Sequence, residues 1–206
     1  MKAPLRLVLS GVLVLLVLAG AVLWLTRPEP GGVAASAIAL PAGTRIGGPF
    51  TLIDDQNRPV TDETYRGHWL LVYFGYTFCP DVCPTALQTI ADTLDTLGET
   101  GARITPIFIT VDPARDTPAV MARYVRQFDS RIIGLTGSEP QIAEVAKAYR
   151  VYYAKETPKD GIAYTMDHSS FIYLMDPEGR LAALFGPQAT ATELAAAIGQ
   201  KLGQDK

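Results

Sequence analysis

Three patterns of hydrophobic and polar positions succeed one another along the chain. Leu7 to Leu25 is a run of 19 residues without a charge, preceded by Lys2 and Arg6. It has about the length that crosses a bilayer as a helix. The preceding positive charges place the N-terminus in the cytoplasm and set Trp24 near the outer interface. Ala19-Gly20-Ala21 offers a cleavage site for a signal peptide, but the apolar run continues beyond it through Leu25. The pattern predicts an uncleaved, single-pass anchor over residues 1–25. Residues 26–44, rich in Pro, Gly and Ala, read as a flexible tether. From 45 to 206, short apolar runs of strand length alternate with segments whose apolar residues recur at helical spacing.

The elements of that third part follow from its periodicity. Phe50 to Val60 reads as a short hairpin turning at Asp54–Pro59. Leu70–Phe74 and Ile104–Val111 are continuous apolar, β-prone runs of buried strands. Between them Leu87, Ile90, Leu94 and Leu97 keep helical spacing after Pro84, ending near Gly98. Thr117 to Phe128 is predicted helical, with Thr117 as cap and Pro118 at the first position. Ile132–Leu135 is a short strand, and Ser138 caps a helix reaching about Tyr149 with Ile142, Val145 and Ala146 on one face. Val151–Tyr153 suggests another short strand, and Lys155–Asp167, with Pro158 and Gly161, a loop. Ser170–Met175 and Leu181–Phe185 form a hairpin around Asp176–Gly179, and a helix from Thr190 to Leu202 closes the domain. Strands alternating with helices, then a hairpin and a helix, predict an α/β domain with a central mixed sheet flanked by helices.

Composition changes this picture little. The 206 residues suit one domain plus an appendage, and the 48% hydrophobic content is inflated by the apolar N-terminal run. A net charge of −3 without a basic patch argues against nucleic acid as a partner.

Candidate chemistry changes it a great deal. Cys79 and Cys83 are the only cysteines, spaced C-x-x-x-C within Phe74–Thr85. A buried strand delivers both to the start of a helix, where unpaired amides and partial positive charge favour thiolate over thiol. A purely structural disulfide is the plain alternative. It would close a very small loop, which confers the smaller chain-entropy gain, and Pro80 and Pro84 shape the turn. The pair reads as reactive.

The order of elements is similar to the thioredoxin-like fold. Within it, FGYTFCPDVCP (Phe74–Pro84), VDPARDTP (Val111–Pro118) and DHSS (Asp167–Ser170) resemble the Sco/SenC family of copper-delivery proteins, and the anchor and tether fit that family too. The resemblance implies one copper, as Cu(I) or Cu(II), held by Cys79, Cys83 and His168. It also implies a metallochaperone that assists assembly of the binuclear copper centre of cytochrome c oxidase. The implied partners are the copper-bearing oxidase subunit, an upstream copper donor and a thioredoxin-like reductant. The implied location is a bacterial inner membrane, with the C-terminal domain in the periplasm. The residue types agree: soft thiolates suit Cu(I), and an added imidazole suits Cu(II). A structural zinc normally requires four ligands, and a third cysteine is lacking.

Other residues carry weaker signals. Asp167 is a candidate to orient the His168 imidazole, or simply a solvated loop acid. His68 reads as a surface turn residue, and Met166 as packing rather than a thioether ligand. Asp112, Arg115 and Asp116 form either an ion pair holding their loop or a partner-docking surface. Against the metallochaperone stands a thiol–disulfide oxidoreductase that uses Cys79 and Cys83 to keep oxidase-subunit cysteines reduced, which has no need of a distant imidazole. Peroxidase-like chemistry lacks a resolving cysteine away from the pair.

Overall fold

The computed structural model describes residues 38–41, 43–157 and 163–204. The Leu7–Leu25 run therefore lies outside the described residues. Strand β3 (Trp69–Gly75) is buried along its whole length, and β4 (Ile104–Thr110) nearly so. They pair in parallel, Leu71 opposite Pro106 and Tyr73 opposite Phe108. Continuous apolar sequence is what a parallel strand covered on both faces requires.

Around these two strands the described residues build a seven-stranded mixed sheet in the order β2-β1-β5-β4-β3-β8-β9. Its other members are β1 (Thr51–Asp54), β2 (Pro59–Thr61), β5 (Ile133–Thr136), β8 (Ile172–Met175) and β9 (Leu181–Phe185). β5 lies parallel to β4, whereas β1 and β8 run antiparallel to their inner neighbours. The hairpins predicted at both ends of the domain, β1–β2 and β8–β9, are present.

The crossover from β3 to β4 contains helix α1 (Val82–Leu97), which buries Cys83, Leu87, Ile90, Ala91 and Leu94. It starts before Pro84, which occupies its first turn, where a missing N–H costs nothing. Helix α2 (Pro118–Val125) joins β4 to β5; Thr117 caps it by accepting from the Val120 amide, as its sequence predicts. Helix α3 (Glu139–Ala148) begins at Ser138 with a reciprocal capping box to Gln141. Helix α4 (Ala191–Gln204) packs against α1. Leu71, Phe74, Leu87, Leu94, Phe108 and Phe185 are fully buried between sheet and helices.

One stretch departs from the sequence reading. The strand expected at Val151–Tyr153 lies later, as β6 (Tyr153–Glu156), and the expected loop Lys155–Asp167 contains most of a further strand, β7 (Thr165–His168). The two pair antiparallel as a separate two-stranded sheet, with Tyr153 opposite His168 and Glu156 opposite Thr165. Pro and Gly signal a turn, but β-pairing depends on a partner strand that local composition does not reveal.

Candidate metal centre

β3 ends at Gly75, and Tyr76 to Asp81 then turn the chain into α1. The Cys79 amide donates to the Tyr76 carbonyl at 3.3 Å, closing the turn that carries the first thiol. Cys79 is half-buried, and Cys83, in the first turn of α1, is fully buried. Gly75 is the residue that permits this. A β-carbon there would lie 2.6 Å from the Cys83 Sγ and 2.9 Å from the Phe108 ring. Local pattern does not single out Gly75; its position directly before the dithiol turn is the only signal in the sequence.

His168 arrives from β7. Its Nε2 lies 3.4 Å from the Cys83 Sγ, and its Nδ1 lies 3.1 Å from the Ser169 carbonyl. A carbonyl only accepts, so Nδ1 carries a proton, and Nε2 faces the sulfurs. The rings of Tyr73 and Tyr76 stand edge-on to the imidazole, with centroids at 6.2 and 5.8 Å. The Tyr73 hydroxyl sits beside Cys83 and Ser170, yet makes no hydrogen bond of ordinary geometry. One donor atom from each of Cys79, Cys83 and His168 lies within 4.8 Å of the others. With sulfurs at about 2.3 Å and an imidazole nitrogen at about 2.0 Å from a shared ion, donors about 120° apart would stand about 3.7 Å (sulfur to nitrogen) to about 4.0 Å (sulfur to sulfur) from one another. The donor set fits an ion with little rearrangement.

The two sulfurs differ electrostatically. The Cys79 thiol is pulled down to about 3, chiefly by a hydrogen bond from Cys83, aided by His168 and the backbone at Asp81 and Cys83. Burial pushes the Cys83 thiol far up, and the neighbouring Cys79 charge adds to it. The pair therefore rests as one thiolate and one thiol.

The structure also places the secondary candidates. Asp167 does not orient His168: it is exposed, opposite Ala154 on β6, and strand alternation turns it away from the imidazole. The Ser169 carbonyl takes that place. His68 is exposed, and Met166 packs against the core, as the sequence suggests. Asp112, Arg115 and Asp116 hold their own segment. Asp112 pairs with Arg115 and accepts from the Tyr164 hydroxyl at 2.8 Å. Asp116, fully buried, accepts from the Thr77 amide at 3.0 Å and from the hydroxyls of Thr77 and Thr110 at 2.6 and 2.5 Å. Burial raises its carboxyl above the ordinary range, against those donors. Thr77 and Tyr164 escaped the sequence reading, because neither residue type signals a site on its own.

A dithiol and an imidazole converging at the first turn of α1, on a thioredoxin-like α/β frame, define a domain built to hold a soft or borderline metal ion. The SCO1/SenC family model matches residues 39–203, and the chain belongs to that family. It is 45% identical over 160 residues to protein sco1 of Schizosaccharomyces pombe, covering 75% of this chain and 60% of that protein. To the human mitochondrial SCO1 homolog it is 41% identical, covering 74% of this chain and 52% of the relative. The chain thus spans about half to three-fifths of these relatives' length. Copper-bound ScoI of Bradyrhizobium japonicum superposes with a TM-score of 0.70 at 47% identity, covering 75% of this chain and 98% of that one. Copper-bound ScoI of Arabidopsis thaliana gives 0.73 at 41%, covering 77% and 99%.

Proposed function

We infer that this chain is a membrane-anchored, extracytoplasmic copper metallochaperone, a binding and transfer protein rather than an enzyme. It takes one copper ion on Cys79, Cys83 and His168, and it assists assembly of the binuclear copper centre of cytochrome c oxidase. The observation that carries the reading is the convergence of these three donors within 4.8 Å. The copper-bound relatives at 41 and 47% identity support copper as the cargo. Residues 1–25 anchor the protein in a bacterial inner membrane and 26–44 tether the periplasmic domain. Its partners are an upstream copper donor, the copper-bearing oxidase subunit and a thioredoxin-like reductant that keeps the thiols open.

The residues divide the work. Half-buried Cys79, already a thiolate, meets incoming copper first. Buried Cys83 must lose its proton to become the second ligand, and that proton has to pass on to solvent before Nε2 of His168, 3.4 Å away, can serve as the third. Two thiolates satisfy Cu(I), whereas Cu(II) requires the imidazole.

A second reading has its own support. A half-buried thiolate beside a buried thiol suits a thiol–disulfide oxidoreductase. Cys79 would attack a target disulfide and release one target thiolate. Cys83 would then give up its proton, attack Cys79 and release the second.

Metal stoichiometry and spectra of the reduced domain separate the two. The reduced protein is expected to bind about one copper and the oxidised protein almost none. His168→Ala should keep much of the Cu(I) binding, measured by competition with a chromophoric chelator, and lose the thiolate-to-Cu(II) charge-transfer bands. Wild-type Cu(II) spectra from His168→Ala would remove His168 from the site and favour the reductase.

A further inference from the structure

The three donors come from two segments that share no strand pairing. The cysteines follow β3 of the seven-stranded sheet, whereas His168 ends β7 of the two-stranded sheet. Something must set the distance between them. Ser169 and Tyr152 extend the β6–β7 pairing with bonds of 2.9 and 3.1 Å, but these lie within that unit. Met166 and Tyr153 pack on the core, the Met166 backbone bonds to the Tyr76 hydroxyl, and the Tyr73 and Tyr76 rings stand edge-on to His168, so part of the link is direct.

The segment Val111–Pro118 touches both sides. Towards the cysteines, Asp116 accepts from the amide and hydroxyl of Thr77, two residues before Cys79. Towards the histidine, the Arg115 guanidinium donates through Nη1 to the Tyr164 carbonyl at 2.9 Å. It also stacks over the Tyr164 ring, Cζ to centroid 3.8 Å. Tyr164 in turn donates to Asp112, the ion-pair partner of Arg115. The same guanidinium lies 4.8 Å from the ring of Phe78, adjacent to Cys79, and 5.7 Å from that of Tyr76. A planar cation that both forks and stacks can join two such surfaces; a lysine ammonium cannot.

We propose that Arg115, held by Asp112, is the positioning residue of the copper site, clamping the His168 strand to the cysteine loop through Tyr164 and Phe78. Asp116 braces the same loop from beneath. The clamp acts on the imidazole side, so it governs the Cu(II) geometry and leaves the two-thiolate site for Cu(I) in place; this consequence rests on the copper reading given above.

Two variants of the full chain test it, Arg115→Lys and the milder Tyr164→Phe, which keeps the stacked ring and removes only the donor to Asp112. Each should hold Cu(I) within about threefold of wild type while shifting the Cu(II) paramagnetic and charge-transfer spectra. In the copper-free protein, amide exchange at Ala154–Glu156 and Thr165–Asp167 should accelerate about tenfold, and exchange in β3 should not change. Wild-type spectra and wild-type exchange in both variants would overturn the clamp. So would a folded Tyr164→Phe protein that loses Cu(I) together with Cu(II), since that places Tyr164 under the thiols. If instead Cys79→Ser plus Cys83→Ser binds copper as well as wild type does, the copper reading fails, and the exchange arm still decides the clamp.

Discussion

Cys79 and Cys83 share a chemistry and a turn, yet their surroundings drive their thiols in opposite directions. The Cys79 thiol moves from the ordinary 9.0 to about 3, led by the hydrogen bond from Cys83. A thiol whose folded value lies below its unfolded one contributes stability that is complete above the unfolded value. That stability is lost as pH falls through the folded one. The window here runs from about pH 9 down to about pH 3. Across most of it Cys79 stays a thiolate. In the reduced, copper-free protein, iodoacetamide should label Cys79 at about pH 5 nearly as fast as at neutrality. A free cysteine peptide slows by about a hundredfold over the same two units. Peptide mapping of the label checks this, and a tenfold fall per pH unit at Cys79 would contradict it. The strand-to-helix order predicts thiolates at both positions; this holds for Cys79, whereas burial overrides it at Cys83 in the first helical turn. Which sulfur carries the charge was not legible, because it depends on one being buried and the other half-exposed.

At the scale of elements, the site depends on how closely β3, β4 and α1 approach. Gly75 ends β3 where the Cys83 Sγ and the Phe108 ring leave no space for a β-carbon. Gly75→Ala must therefore push the first turn of α1 outward or turn the Cys83 side chain away. The expected outcome is a folded protein with a stability loss of about 1–3 kcal/mol, the usual cost of overpacking. Its Cu(I) affinity should fall at least as much as that of His168→Ala. Denaturant titration and chelator competition measure the two effects, and unchanged copper affinity would show that the close approach is not needed. The same scale explains the β6–β7 departure. Thr165–His168 has neither a continuous apolar run nor a clean alternation, and it becomes a strand because Tyr153–Glu156 lies opposite.

At the scale of the whole molecule, residues 35–206 form a compact unit. No helix among the described residues is long and apolar enough to cross a membrane. The proposed anchor, Leu7–Leu25, lies outside those residues. The full chain should resist alkaline carbonate extraction, while a version starting at Ala35 should be released with its copper binding intact. Full-length protein found in the soluble fraction, with a mature N-terminus beyond Ala21, would refute the anchor.

Local pattern by itself determined most elements of this protein, because buried parallel strands, capped helices and tight turns are written in neighbouring residues. Leu70–Phe74, Ile104–Thr110, Thr117-Pro118 and Ser138 through Gln141 each specify their own geometry. It also singled out Cys79 and Cys83, whose spacing is local. His168 was assigned through family resemblance rather than spacing, since a contact 85 residues away leaves no periodic trace. Only the tertiary structure decided that Nε2 faces the sulfurs, that Ser169 rather than Asp167 fixes the ring, and that Arg115 bridges the two halves of the site. Those choices depend on where separate segments meet. Packing and hydrogen-bond satisfaction set that only after the chain has closed on itself.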